Sequence, residues 1–108
     1  MGRQTGAWKR TERRVASLLG GERIPVSGRG GAPDVAHPTF SVEVKHRGSL
    51  PGWLTAAMAQ AEAASVGGRV PMVVLHRAGD RHADALAVLR VTDVAALVGG
   101  RGDEGEEG

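Results

Sequence analysis

The sequence predicts an α/β protein in which a mixed sheet is flanked by helices. Apolar residues recur at helical spacing in three segments, short apolar or alternating runs lie between these segments, and glycine pairs or prolines stand at the boundaries. The chain has 108 residues and no cysteine, which excludes disulfides and thiolate metal sites. We expect one domain over residues 1–98 and a disordered acidic tail over residues 99–108.

The first half of the chain supplies one helix and three strands. Residues 7–19 have apolar positions at helical spacing, and Gly20-Gly21 ends that helix. A short strand follows at residues 23–26, then a glycine-rich loop. Two further strands, at residues 34–36 and 40–46, are joined by a turn that contains Pro38.

The second half adds two helices and two strands, so the predicted order is α-β-β-β-α-β-β-α. Residues 53–66 form an alanine-rich helix that Gly67-Gly68 ends, and residues 70–76 form the most apolar strand, which we expect to be central. Another strand at residues 85–91 precedes a short helix, capped by Thr92, that runs to Val98.

The predicted hairpin brings two acidic side chains together. With Pro38 at the second position of a four-residue turn, Asp34 is opposite Glu43, and their Cβ atoms are about 5 Å apart on one face. Lys45 lies on the same face, about 7 Å from Glu43. Two carboxylates beside an ammonium group suit Mg²⁺ or Mn²⁺. The alternative is a half-exposed strand with ordinary polar residues on its wet face.

A third acid lies on the apolar stripe of the first helix. Glu12 shares this stripe with Trp8, Val15 and Leu19. A carboxylate that faces the sheet is costly unless it is paired or bound to a metal. Glu12 therefore has either a functional role or a position at the rim, where it reaches solvent or pairs with an arginine.

Charge points to a polyanionic partner or to an ordinary arginine-rich surface, and both interpretations stay open. The net charge is +2, but the last seven residues carry four acids, and the rest of the chain has 14 basic and 8 acidic residues. No apolar run is long enough to cross a membrane, so we expect a cytoplasmic protein of a prokaryote or phage. The candidate nucleic-acid contacts are Lys9, Arg10, Arg13, Ser27, Arg29 and Arg47.

These motifs together resemble the PD-(D/E)XK nuclease superfamily, and in particular the small archaeal and phage Holliday-junction resolvases. The resemblance is carried by Glu12 on a helix, the loop "SGRGGAPD" that ends in Asp34, and "EVK" at residues 43–45. It covers roughly residues 8–76 and implies a restriction-endonuclease-like αβββαβ core. It also implies a homodimer that binds branched DNA.

The resemblance assigns a role to each motif residue. Asp34, Glu43 and the backbone carbonyl of Val44 would bind Mg²⁺, with Mn²⁺ as the alternative, and Glu12 would complete the site directly or through water. Lys45 would orient the attacking water and stabilise the charged phosphate. Ser27 would lie near the scissile strand. Gln60 either matches an accessory glutamine of some branches of the superfamily or simply faces water.

The implied activity is metal-dependent DNA endonuclease cleavage, selective for branched structures. Two alternatives remain at this stage. One is a nucleic-acid-binding module without catalysis, and the other is a nuclease of the same fold that acts in restriction, repair or end processing. The sequence does not distinguish substrates among nucleases that share these residues.

Overall fold

The computed structural model describes residues 2–26 and 30–99, with side chains described from Gly6 onward. Ser27, Arg29 and the predicted tail from residue 100 lie outside the described residues. Backbone contacts divide the chain into two compact units, Met1–Gly48 with Val91–Gly108 and Ser49–Arg90. We call them the first unit and the second unit.

The predicted order of elements is confirmed, and the chain belongs to the general α/β class. In chain order the elements are α1 (Gly2–Leu19), β1 (Glu22–Arg23), β2 (Val35–Ala36), β3 (Ser41–Val42), α2 (Gly52–Ala64), β4 (Val73–Leu75), a 3₁₀ turn (His82–Asp84), β5 (Leu86–Val88) and α3 (Val91–Val98). Since α3 already begins at Val91, Thr92 lies within the helix, and the prediction that it caps this helix is wrong.

The first unit contains a three-stranded antiparallel sheet with the order β1-β2-β3. Val35 pairs with Val42 and Ala36 pairs with Ser41, which is the register that the turn at Pro38 predicts. Arg23 of β1 pairs with Val35 on the other side of β2. The hairpin that carries the acidic residues is therefore formed as predicted at its turn end.

The second unit contains α2 and a two-stranded antiparallel sheet in which Val74 of β4 pairs with Ala87 of β5. The prediction of one mixed central sheet is therefore wrong for the described residues, which form two separate antiparallel sheets. They fit the general α/β class but not the restriction-endonuclease-like core that the resemblance implies. The prediction that the strand at residues 70–76 is central is wrong as well, because in the described residues β4 pairs with β5 alone. The paired strands are two or three residues long and are neighbours in chain order, an arrangement that antiparallel pairing allows.

The core of the first unit lies where α1 contacts β1, β2 and α3. Val35 and Ala95 are fully buried, and Ala16 and Leu19 are almost so. Glu12 is buried beside them, at i, i+4 and i+7 spacing with Ala16 and Leu19. Glu12 is therefore in the interior and not at the solvent-reaching rim that the sequence left open as one alternative.

None of the described helices combines the length and the apolar composition that crossing a membrane requires.

Candidate functional site

Asp34 is held by main-chain groups on both sides of its strand. Its carboxylate oxygen Oδ2 accepts a hydrogen bond of 2.7 Å from the backbone amide of Val44. Its own amide donates to the carbonyl of Val42, and its carbonyl accepts from the amide of Ile24, both at 2.9 Å. The residue is only 7% exposed. This carboxylate is therefore fixed in position before any ligand binds.

Glu43 and Lys45 lie on either side of Val44 and are exposed to solvent. The alternation along this segment is as predicted, because Val42, Val44 and His46 are half-buried while the odd-numbered residues are exposed. The Asp34–Val44 hydrogen bond thus brings one buried carboxylate next to a segment that presents an acid and an amine to the solvent.

Glu12 forms a buried ion pair with Arg23. Its Oε1 accepts a hydrogen bond of 2.7 Å from Nε of Arg23, and the two side chains are 0% and 14% exposed. Arg23 pairs in the sheet with Val35, the residue that directly follows Asp34 in the chain. The sequence left Glu12 either a functional role or a rim position with solvent or an arginine as its partner. An arginine partner is observed, but the pair lies in the interior and not at the rim.

A groove of about 550 Å³ runs along β3 in the first unit. Its wall is mostly aliphatic, and Glu43 and Lys45 are the charged residues among those that line it. Two helices also line it, α1 through Thr11 and Val15 and α3 through Val91 and Val94. The charged part of the "EVK" segment therefore borders a concave surface.

The acidic residues do not converge into one cluster. Over residues 2–26 and 30–99, no group of three or more histidine, cysteine, aspartate or glutamate side chains is arranged to hold a metal ion. Asp34 lies beside the Glu43–Lys45 segment, while Glu12 bonds to Arg23.

The candidate DNA contacts differ in exposure. Arg10, Arg13 and Arg47 are exposed, and Lys9 is half-buried. Gln60 lies in the second unit, where its side chain is exposed. Arg10 and Arg13 of α1 are thus open to an external partner.

Two histidines and one arginine have defined roles that the sequence did not reveal. Arg23 binds Glu12, His46 Nδ1 lies 2.8 Å from the hydroxyl of Thr11, and His37 bonds to three main-chain groups. A histidine next to proline in a predicted turn was the available signal for His37. No pattern in the sequence pointed to Arg23 as the partner of Glu12.

No family model, curated protein or solved structure matches this sequence. The functional interpretation below is therefore argued from the residues of the site and from their geometry.

Proposed function

We propose that this chain is a divalent-metal-dependent DNA endonuclease that hydrolyses phosphodiester bonds. The hydrogen bond from Val44 to the carboxylate of Asp34 is the observation that supports it most strongly. It joins the two halves of the motif, Asp34 and the Glu43–Lys45 segment, which are separated by a turn in the sequence.

The donor set is compatible with a hard divalent cation. Asp34, Glu43 and the carbonyl of Val44 would hold Mg²⁺ or Mn²⁺, since Mg²⁺ commonly binds one or two carboxylates and completes its coordination with water and substrate phosphate. When bound, the cation supplies charge neutralisation of the phosphodiester and a more acidic bound water. Glu12 would assist directly or through water, and the hydrogen bond from Arg23 orients its carboxylate.

Lys45 would contribute charge at the reacting phosphate. Its side chain is exposed beside the groove, and an ammonium group on a flexible stem suits a phosphate oxygen or an attacking water. The exposed Glu43 would bind the cation together with the buried Asp34. In this arrangement the metal-binding and phosphate-stabilising groups come from Asp34, just before β2, and from residues 43–45, just after β3.

Branched DNA and a homodimer belong to the same proposal. Arg10, Arg13 and Arg47 are exposed cations that would contact phosphates, and Ser27 and Arg29 would do so from the glycine-rich loop. Two copies related by a two-fold axis would present two active sites to the paired strands of a junction.

The test is cleavage of a labelled four-way junction, a matched linear duplex and a single strand, each with Mg²⁺, Mn²⁺ or EDTA. Cutting that requires metal and is confined to the junction is the expected result. Metal-dependent cutting of all three substrates would retain the nuclease and reject the preference for branched DNA, leaving restriction, repair or end processing. Binding without products under either metal would reject the nuclease.

Two variants and a matched control link the activity to this site. Asp34→Asn keeps an oxygen that can accept from Val44 but removes the negative charge, and Lys45→Ala removes the ammonium group. Both should abolish cutting while DNA binding persists. Asp80→Asn removes an equivalent charge from the second unit, where Asp80 pairs with exposed Arg77, and it should cut normally. An active Asp34→Asn protein would contradict the proposal.

A second candidate is a nucleic-acid-binding module without catalysis. It is favoured by the ion pair between Glu12 and Arg23, because a carboxylate bonded to arginine is already neutralised. This candidate predicts salt-sensitive binding that needs no divalent cation. The same cleavage assay distinguishes it from the nuclease.

A further inference from the structure

His37 links the turn of the β2–β3 hairpin to the end of α1. Its Nδ1 atom is 3.0 Å from the backbone amide nitrogen of Thr39 and 3.3 Å from that of Phe40. Its Nε2 atom is 2.9 Å from the carbonyl oxygen of Leu19, the last residue of α1. We call these three hydrogen bonds the His37 junction.

The partners of the ring define its protonation state. The amides of Thr39 and Phe40 are donors, so Nδ1 must present a lone pair to them. The carbonyl oxygen of Leu19 is only an acceptor, so Nε2 must carry the proton. His37 is therefore a neutral imidazole with its hydrogen on Nε2, and both ring nitrogens are engaged with the main chain.

A second contact fixes the same two elements. A Cβ atom at Gly21 would overlap the carbonyl oxygen of Ala36, so the chain just after α1 lies directly against the end of β2. The adjacent Glu22 pairs with Ala36 in the sheet. The end of the helix and the end of the strand are thus fixed together by a side-chain link and by close main-chain packing.

The His37 junction lies at a similar distance from two of the candidate site residues. Glu12 precedes Leu19 by seven residues, about 10 Å along a helix. Asp34 precedes His37 by three residues, about 10 Å along a strand. Because α1 contacts β1 and β2 over this length, a shift of the helix at the junction would change the separation of Glu12 and Asp34.

We propose that His37 is a positioning residue for the candidate site: its neutral form holds the helix that carries Glu12 in register with the hairpin that carries Asp34 and Glu43. Its effect on cleavage rests on the proposed function. A displacement of about 1 Å can reduce the rate of a reaction by about 100-fold. The junction thus acts on catalysis through the geometry of other residues and does not touch the substrate.

The first experiment examines the ring itself and needs no catalytic activity. In ¹⁵N NMR spectra of the wild-type chain at neutral pH, Nε2 of His37 should carry a proton that exchanges slowly with water, and Nδ1 should be unprotonated. The amides of Thr39 and Phe40 should be protected from hydrogen exchange. A ring protonated on Nδ1, or unprotected turn amides, would overturn the His37 junction whether or not the protein cuts DNA.

The second experiment separates positioning from turn formation. In His37→Asn the side-chain oxygen can replace Nδ1 as acceptor for the turn amides, but the bond to Leu19 is lost. We expect single-turnover cleavage to fall by about 100-fold, with the DNA dissociation constant within about twofold of wild type and the turn amides still protected. His82→Asn, in the second unit, is the control and should cut at the wild-type rate.

Normal cleavage by His37→Asn would overturn the positioning role, since a turn residue alone would account for the histidine. If that variant does not fold, the ring protonation and amide protection of the wild-type chain decide the matter. If the wild-type chain does not cut DNA, the proposed function fails, and the NMR measurement still tests the His37 junction.

Discussion

The backbone amide of Val44 donates a hydrogen bond of 2.7 Å to the carboxylate of Asp34, ten residues earlier in the chain. β2 and β3 pair from the turn as far as Val35 and Val42. Beyond this pair, the amide of Val44 donates to the side chain of Asp34 instead of to a main-chain carbonyl. This bond explains why β3 ends at Val42 although the alternating pattern continues to residue 46. It also gives the "EVK" segment its fixed relation to Asp34.

Breaking the ion pair between Glu12 and Arg23 should destabilise the first unit. Arg23→Ala removes the arginine side of this buried pair, and breaking a buried ion pair costs about 3 kcal/mol or more. Denaturant unfolding followed by tryptophan fluorescence measures this cost. A Trp53→Phe background leaves Trp8 of α1 as the only tryptophan, so the signal reports on the first unit.

The matched control for Arg23 is Arg77→Ala, which breaks an exposed pair with Asp80. Exposed ion pairs contribute at most about 1 kcal/mol, so this variant should unfold close to wild type. Equal effects of the two substitutions would show that the Glu12 pair is not a buried interaction.

Much of the hairpin could be predicted because its determinants are local. The position of Pro38 defines the turn, and the turn defines which residues of β2 and β3 pair. The place of Glu12 on the apolar stripe of α1 was likewise visible, but the sequence left open whether it is buried or lies at the rim. Its partner Arg23 could not be predicted, since that contact depends on how the helix lies on the sheet.

Gly21 should not tolerate any side chain. Its neighbour across the junction is the carbonyl oxygen of Ala36, which cannot rotate away as a flexible side chain could. Gly21→Ala should therefore lower the free energy of unfolding by about 1 to 3 kcal/mol, measured in the same Trp53→Phe background. Gly48→Ala is the control, because a Cβ atom there meets no atom within 4 Å. A neutral Gly21→Ala would contradict the close packing of α1 against β2.

The exposed arginines of α1 should contribute to DNA affinity mainly through counterion release. Arg10→Ala and Arg13→Ala should each weaken binding similarly on every sequence and reduce the slope of log affinity against log salt by about 1. Fluorescence anisotropy over a range of salt concentrations measures this slope. Unchanged slopes in both variants would show that this face of α1 does not contact phosphate.

The second unit contains an ion pair with a defined pH dependence. Hydrogen bonding to Arg90, 2.8 Å from Oε2, lowers the pKa of Glu62 below its ordinary value of 4.5, and burial opposes this only in part. Because the folded pKa is the lower one, the pair stabilises the protein above pH 4.5, and this stabilisation is lost as pH falls through the folded pKa. Arg90→Gln should return the pKa towards 4.5 in an NMR titration of the carboxyl group. A pKa unchanged by that substitution would contradict the ion pair.

The sheet arrangement and the details of the site were beyond prediction for a related physical reason. Alternation in a strand indicates which residues share a face but not which strand lies next to it, so the pairing of β4 with β5 alone could not be inferred. His37 was visible in the turn, whereas its bond to Leu19 depends on where α1 ends in space. Local sequence patterns therefore did not predict contacts between segments that are distant in the chain.

The most direct test of the account is paramagnetic broadening of backbone amide signals by substoichiometric Mn²⁺. If Asp34 and Glu43 bind a divalent cation beside Val44, the amides of residues 43–45 should broaden first in the wild-type chain, and much less in Asp34→Asn. Broadening that is absent from this segment, or that is unchanged by Asp34→Asn, would contradict a metal-centred site at the Asp34–Val44 hydrogen bond.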